Sequence, residues 1–292
     1  MAVWDRIESV RWDMSVQSKG AFVGIREDVE KLATTHGRQV GTPGHDAARD
    51  HIVSRLADLG IDGYAGGPFE LPYQRDGQGF VNLVAQLPGT DPSLSPVLLG
   101  AHYDTCGDMP GADDNAAAVA VLLAVAETLK GKQIDRTVLF AFFDAEEPPH
   151  FLMPSMGSIR FYEDQRREPI HCAIIMDLVG HDVPVPGLED LLFVMGMESN
   201  EGLGEVIQGC PAEPGIRVLP TLNEYVGDMS DHHIFRLNEV PYLFLSCATW
   251  QHYHQPTDTP DKLNYPKVEA IARYLARLTV EISGNPLAGV FE

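Results

Sequence analysis

Basic residues are scarce in this sequence: 21 Lys and Arg stand against 42 Asp and Glu, a formal net charge of −21. Nucleic-acid surfaces work by neutralising phosphates with clustered Lys and Arg, so a nucleic-acid partner is excluded as the main function. Long apolar runs are missing as well. The longest, around Ala116 to Ala126, falls short of the roughly 18 residues that cross a bilayer, and no membrane partner is expected. The first twenty residues lack the basic start and continuous apolar stretch of a secretory signal, so the chain is expected to be cytoplasmic. Cysteine is sparse too. Cys106, Cys172, Cys210 and Cys247 are far apart and form no CxxC or CxxH pair, which excludes a thiolate-rich zinc knuckle. All four are read as structural free thiols, Cys106 included, although it follows one of the motifs below.

With 44% hydrophobic and 22% charged residues over 292 positions, the composition is globular. Residues 22–59 read as two amphipathic helices broken at GRQVGTPGH, where Gly41, Pro43 and Gly44 force a turn, within a helical lead-in over about 1–62. GYAGGPFELPY, GFVNLVAQLPG and SPVLLGAHYDT then read as three successive strands, expected as a meander. Asp113 to Leu129 reads as a long Ala/Val/Leu helix. RTVLFAFFDAEE has the unbroken apolar run of a strand covered on both faces, as have CAIIMDL, LLFVMG and VPYLFLS, with helices expected between them. The last helix spans about 266–282. Strand and helix alternate without repeats or linkers, so residues 1–292 are expected to form one α/β domain, a mixed, mostly parallel β-sheet sandwiched between helices.

Polar residues collect at the C-terminal ends of these runs, where open α/β sheets hold their ligands. His102 and Asp104, two apart on a strand, point the same way, so the carboxylate can orient the imidazole towards a metal; alone, they suit a structural pair better. Asp113, Asp114 and Asn115 stand at a helix start, where capping is the plain alternative. Asp144-Ala145-Glu146-Glu147 is harder to dismiss, because adjacent carboxylates leaving a buried strand repel unless a cation or a shared proton lies between them. Asp177 ends another apolar run, and His252, His254 and Asp258 stand together near the end. Carboxylates with imidazoles suit a divalent metal, zinc foremost. Asp114, Glu147 and Asp177 carry about −3, which two Zn2+ and a hydroxide would bring to about zero, leaving Glu146 as a base.

These residues resemble the co-catalytic zinc aminopeptidase family, which also contains glutamate carboxypeptidase and the glutaminyl cyclases. AHYDT, GADDNAAAV, FFDAEE, GSIRFYE, IIMDLVG, SDHHIF and YHQPTDT stand in the family's order, from about Gly41 onward. The resemblance implies that His102 and Asp177 hold one zinc, that Glu147 and His254 hold the other, and that Asp114 bridges them. Asp114 is chosen over Asp113 because it directly precedes the Asn, and His254 over His252 because it heads the H-x-x-x-D segment. Glu146 would be the general base. Asp104, Asp231 and Asp258 would stand around the ligands, and the Asp114–Asn115 peptide would be cis. Tyr253 is similar to a family tyrosine that donates to an oxyanion, though a packed aromatic is the alternative. The implied substrate is a small peptide or aminoacyl compound with a free N-terminus, and an acidic protein attracts such amines.

Two features depart from the family pattern. Ala117-Ala118 replaces the usual Ser-Gly, and PPHFLMPSM at 148–156 lengthens the stretch after Glu147, where a stiff apolar flap over the substrate is expected. Ser230-Asp231-His232 suggests no serine triad, since neighbours along a chain rarely make one and no GxSxG elbow exists. The nearest rival is a single-zinc glutaminyl cyclase; Tyr253 in place of the cyclases' Trp, and the Asp114-Asn115 pair, favour hydrolysis. A metal-free binding module is a remote third.

Overall fold

A computed structural model describes residues 24–287. Helices α1 (Ile25–Leu32) and α2 (Pro43–Asp58) precede strands β1 (Asp62–Gly63), β2 (Glu70–Arg75), β3 (Gln78–Leu87) and β4 (Val97–His102). There follow α3 (Ala117–Leu129), β5 (Val138–Phe143), α4 (Gly157–Arg160), β6 (Cys172–Met176) and β7 (Leu191–Met195). The remainder is α5 (Glu201–Gly209), β8 (Arg217–Thr221), α6 (His232–Leu237), β9 (Tyr242–Ser246) and α7 (Tyr265–Gly284). The expected break between the first two helices is real: Thr42 caps α2 by accepting from the His45 amide, with Pro43 in the first turn, where its missing N–H costs nothing. The Phe22 end of the first expected helix lies outside the described residues.

One mixed sheet runs in the order β1-β3-β5-β4-β6-β9-β7-β8, with β2 paired to β3. Its central block, β5-β4-β6-β9, is parallel, and antiparallel pairings flank it through β3–β5 and β7–β9. Both faces are covered. Val97, Leu99 and Ala101 of β4 pack with Phe140, Ile174 and Leu245 under α1, α3 and α7. Leu98, Ala141, Ile175 and Phe244 point the other way, under α4 and α6. This is why the strands read as unbroken apolar runs rather than alternating ones. Helix α3 lies between the sheet and α1 and α7, and is buried on nearly every side, which accounts for its lack of a polar face.

Four local expectations are corrected. The three successive strands are no meander, because β3 pairs with β5 and β4 sits between β5 and β6. Helix α3 starts at Ala117, since residues 112–116 form a wide, π-like turn in which Asp114 and Asn115 leave helical angles. No helix joins β6 to β7; the stretch contains Pro184, Pro186 and Gly187, and the buried Lys267 ammonium of α7 satisfies its carbonyls at His181 and Glu189. Strand β8 was not foreseen. It is an exposed edge strand carrying Pro220, a position where proline is tolerated.

Gly157, from the GSIRFYE motif, accounts for how closely α4 approaches β5. A Cβ there would lie 2.3 Å from both the Asp144 carbonyl oxygen and Asn82 Oδ1. Gly157→Ala should therefore destabilise the fold by about 1–3 kcal/mol through forced backbone shifts, read as a lower urea midpoint; a loss under about 0.5 kcal/mol would contradict this packing.

Candidate metal centre

Because β4, β5, β6 and β9 run parallel, the residues following each strand meet at one edge of the sheet. His102 ends β4; its Nδ1 lies 3.4 Å from Asp104 Oδ1, and its Nε2 is 3.2 Å from Asp114 Oδ1, 3.7 Å from Asp177 Oδ2 and 3.9 Å from Glu146 Oε2. Neither nitrogen has hydrogen-bonding geometry to a partner, and Asp177 Oδ1 is also buried without one. Asp104 does more than face His102. Its two oxygens accept from the Glu146 and Glu147 amides, each at 3.0 Å, and so fix the turn after β5, where Ala145 takes a φ of 57° that non-glycine residues rarely adopt.

Asp114 stands between two imidazoles. Its Oδ1 faces His102, while its Oδ2 lies 3.1 Å from His254 Nε2, the nitrogen that both Glu147 oxygens also approach at 3.1 Å. Asp258 holds the Asp114 backbone by accepting from the Asp113 and Asp114 amides. The Asp114–Asn115 peptide is cis, as the resemblance implies, and the Asn115 side chain donates through Nδ2 to the Met176 carbonyl at the end of β6, 3.0 Å away. Asp113 points elsewhere, accepting from the Gly180 amide and pairing with His181 at 2.7 Å. His252 is likewise outside the cluster, bound to Thr257. Asp231 is fully buried at the start of α6.

The electrostatics call for a cation. Burial, reinforced by Asp177, Glu147 and Asp231, pushes the Glu146 carboxyl well above its usual range although His102 opposes this. Burial and Asp114 raise Glu147 to about 8; burial raises Asp177, and takes Asp231 and Asp258 each to about 7. Asp114 goes the other way: burial would raise it, but the nearby His102 and His254 imidazoles outweigh that and lower it. Burial works against a charged His254, yet Asp114 and Glu147 carry it to about 10. Ligand atoms of His102, Asp114 and Asp177 all lie within 4.8 Å of one another, and so do those of Cys106, Glu147 and His254. Imidazoles and carboxylates at this spacing, with buried atoms left unpartnered, fit zinc.

Tyr253 stacks on His254, ring centroids 3.9 Å apart. It also lines a cavity of about 300 Å3 that opens beside Asp177 and is walled by Leu178, Phe193, Met195, Met229 and Phe244. None of that wall comes from 148–156. The expected flap is instead tied to the β2–β3 hairpin, with Tyr73 donating to the Ser155 carbonyl and His150 set edge-on to Phe80.

Three features escaped sequence reasoning. Arg38 is fully buried and donates to the carbonyls of Leu32, Tyr103, Pro110 and Gly111, clamping the loop between β4 and Asp114; burial lowers its pKa to about 10 against the pull of Asp114, Asp258 and Asp104. His45 pairs with Asp144 at 2.8 Å, and Asp144 also accepts from the Val81 amide. Cys106, expected as a packed structural thiol, is half-exposed beside Glu147 and His254. Only its following the AHYDT motif pointed towards it.

A raised folded-state pKa means that the folded protein holds protons the unfolded chain has released. The window runs from 4.5 to about 8 for Glu147 and from 6.5 to about 10 for His254. The stability these groups contribute is complete below the lower limits and is lost as pH rises through the upper ones. The metal-free protein should therefore melt at steadily lower temperature between about pH 5 and 10, and zinc should reverse the trend because its ligands bind deprotonated. A melting temperature that rises with pH in metal-free protein would contradict this.

Comparison with known proteins agrees with this geometry. The chain matches the family model of peptidase family M28 over residues 82–279. It is 28% identical over 226 residues to the uncharacterized protein YfbL of Escherichia coli (strain K12), covering 67% of this chain and 69% of that one. It is also similar to vacuolar membrane proteases of Vanderwaltozyma polyspora (23% identity, 53% of this chain and 15% of that one) and Candida albicans (30%, 41% and 14%). The fold is similar to LapB from Legionella pneumophila (TM-score 0.72, 20% identity, 90% of this chain and 72% of that one). It is equally similar to Porphyromonas gingivalis glutaminyl cyclase (TM-score 0.72, 20% identity, 88% and 97%). With the match covering strands β4 to β9, their loops and the charged cluster between them, the chain belongs to peptidase family M28.

Proposed function

We propose that this protein is a zinc-dependent exopeptidase, an aminopeptidase that hydrolyses the N-terminal peptide or amide bond of small peptides. The observation that carries the reading is the bridging disposition of Asp114, one oxygen towards His102 and the other towards His254. His102, Asp177 and Asp114 would hold one zinc, and Asp114, Glu147 and His254 the other. When bound, zinc polarises the scissile carbonyl and acidifies water. Glu146 accepts the proton of the attacking water and returns it to the leaving amine, a task that its buried place beside the proposed ligands suits. Asp104 and Asp258 orient the ligand-bearing backbone. Tyr253, kept protonated by burial near Asp114 and Asp177, offers its hydroxyl to the developing oxyanion. The apolar cavity beside Asp177 takes the N-terminal side chain of the substrate. Its roughly 300 Å3 favours residues of the size of Leu, Met or Phe. The protein's negative charge draws in the free amine.

Assays on leucine and phenylalanine amides, with an N-terminal glutamine peptide alongside, separate hydrolysis from cyclisation. Glu146→Gln should retain zinc and lose about 10² to 10⁴ in turnover, with affinity changed by less than about tenfold. Glu147→Ala should lose metal and activity together. The reverse pattern would exchange the two roles, near-normal rates in both variants would defeat the hydrolase reading, and cyclisation without hydrolysis would replace it with the rival.

A further inference from the structure

The geometry points to Cys106 as a fourth protein ligand to the metal position shared by Asp114, Glu147 and His254, giving that position a soft thiolate that favours thiophilic cations such as Cd2+. The inference rests on the metal-centre reading above. Its sulfur belongs to the set whose ligand atoms lie within 4.8 Å of one another together with Glu147 and His254. That is within roughly 1–1.5 Å of the spacing between tetrahedral ligands at bond lengths of about 2.0–2.3 Å. Cys106, Asp114, Glu147 and His254 also line one narrow crevice.

The loop holding the thiol is fixed on both sides. Thr105 is buried, accepts from the Arg38 amide at 2.6 Å and donates to the Gly107 carbonyl at 3.0 Å. The Arg38 guanidinium grips the carbonyls of Tyr103, Pro110 and Gly111. Gly37 presses against Asp108, where a Cβ would come within 2.8 Å of the backbone. The loop that carries Cys106 is thereby held at the crevice, and Cys106 is partly exposed while Cys172, Cys210 and Cys247 are buried. On metal capture the S–H bond breaks, the sulfur keeps the electron pair as ligand, and the proton leaves to solvent.

The test is a Cd2+ titration of the full chain, followed by ultraviolet absorption and by metal content of the same samples. Wild type should develop a thiolate-to-cadmium charge-transfer band equivalent to one thiolate per chain. Cys106→Ser and Cys106→Ala should lose it while still binding cadmium about 10- to 100-fold more weakly at one position, a loss of the size found when a metal's supporting partner is removed. Zinc loading should protect Cys106 from alkylation by iodoacetamide. Cadmium bound by wild type without the band, or a band that persists in both variants, would overturn the ligation alone. Failure of wild type to bind any cadmium or zinc would overturn the ligation and the metal centre together.

Discussion

Carboxylates buried side by side repel one another more strongly the less water reaches them, and this constraint organises the whole edge of the sheet. Asp104, Asp114, Glu146, Glu147 and Asp177 meet where four parallel strands end, all of them nearly inaccessible. The buried Arg38 is engaged by carbonyls rather than by the acids. The alternatives are protonation, which the raised pKa values of Glu146, Glu147 and Asp177 describe, or bound cations. Folding without metal therefore stores an electrostatic cost in the place where a metal would relieve it.

The surrounding architecture positions backbone as much as side chains. Asp104 and Asp258 each accept from main-chain amides of neighbouring loops, and Asp144 accepts from the Val81 amide of β3. These acids serve as clamps, so the turns after β4, β5 and β9 are held to one another through carboxylates rather than through sheet hydrogen bonds. The positive φ angles of Ala145 and His254 lie along the same loops, and that of Leu178 in the turn after β6, in the pattern of local strain retained around functional sites.

Much of this was legible in the sequence, for a physical reason. A buried parallel strand writes an uninterrupted apolar run, and the polar residue that ends it stands out, which is how His102, Glu146, Glu147 and Asp177 could be singled out. Asp114 over Asp113 and His254 over His252 came from the resemblance, and in the structure Asp114 and His254 reach the cluster while the other two bind elsewhere. Strand order was not legible: β3 pairing with β5 instead of β4 is a choice between apolar surfaces of similar pattern. The Arg38 hold on Gly111, the His45–Asp144 pair and the Cys106 contacts act across 41 to 148 residues of sequence, and such contacts leave no local periodicity. The Pro-rich 148–156 stretch was read as a flap from its composition, but Tyr73 and Phe80 anchor it to the hairpin instead.

The central claim is that Asp114 bridges two metal positions, and anomalous diffraction at the zinc edge from crystals of reconstituted protein tests it most directly. The account predicts two strong anomalous peaks, one between Asp114, His102 and Asp177 and the other between Asp114, Glu147 and His254. A single peak in fully active, zinc-saturated protein, or two peaks of which one does not touch Asp114, would contradict it.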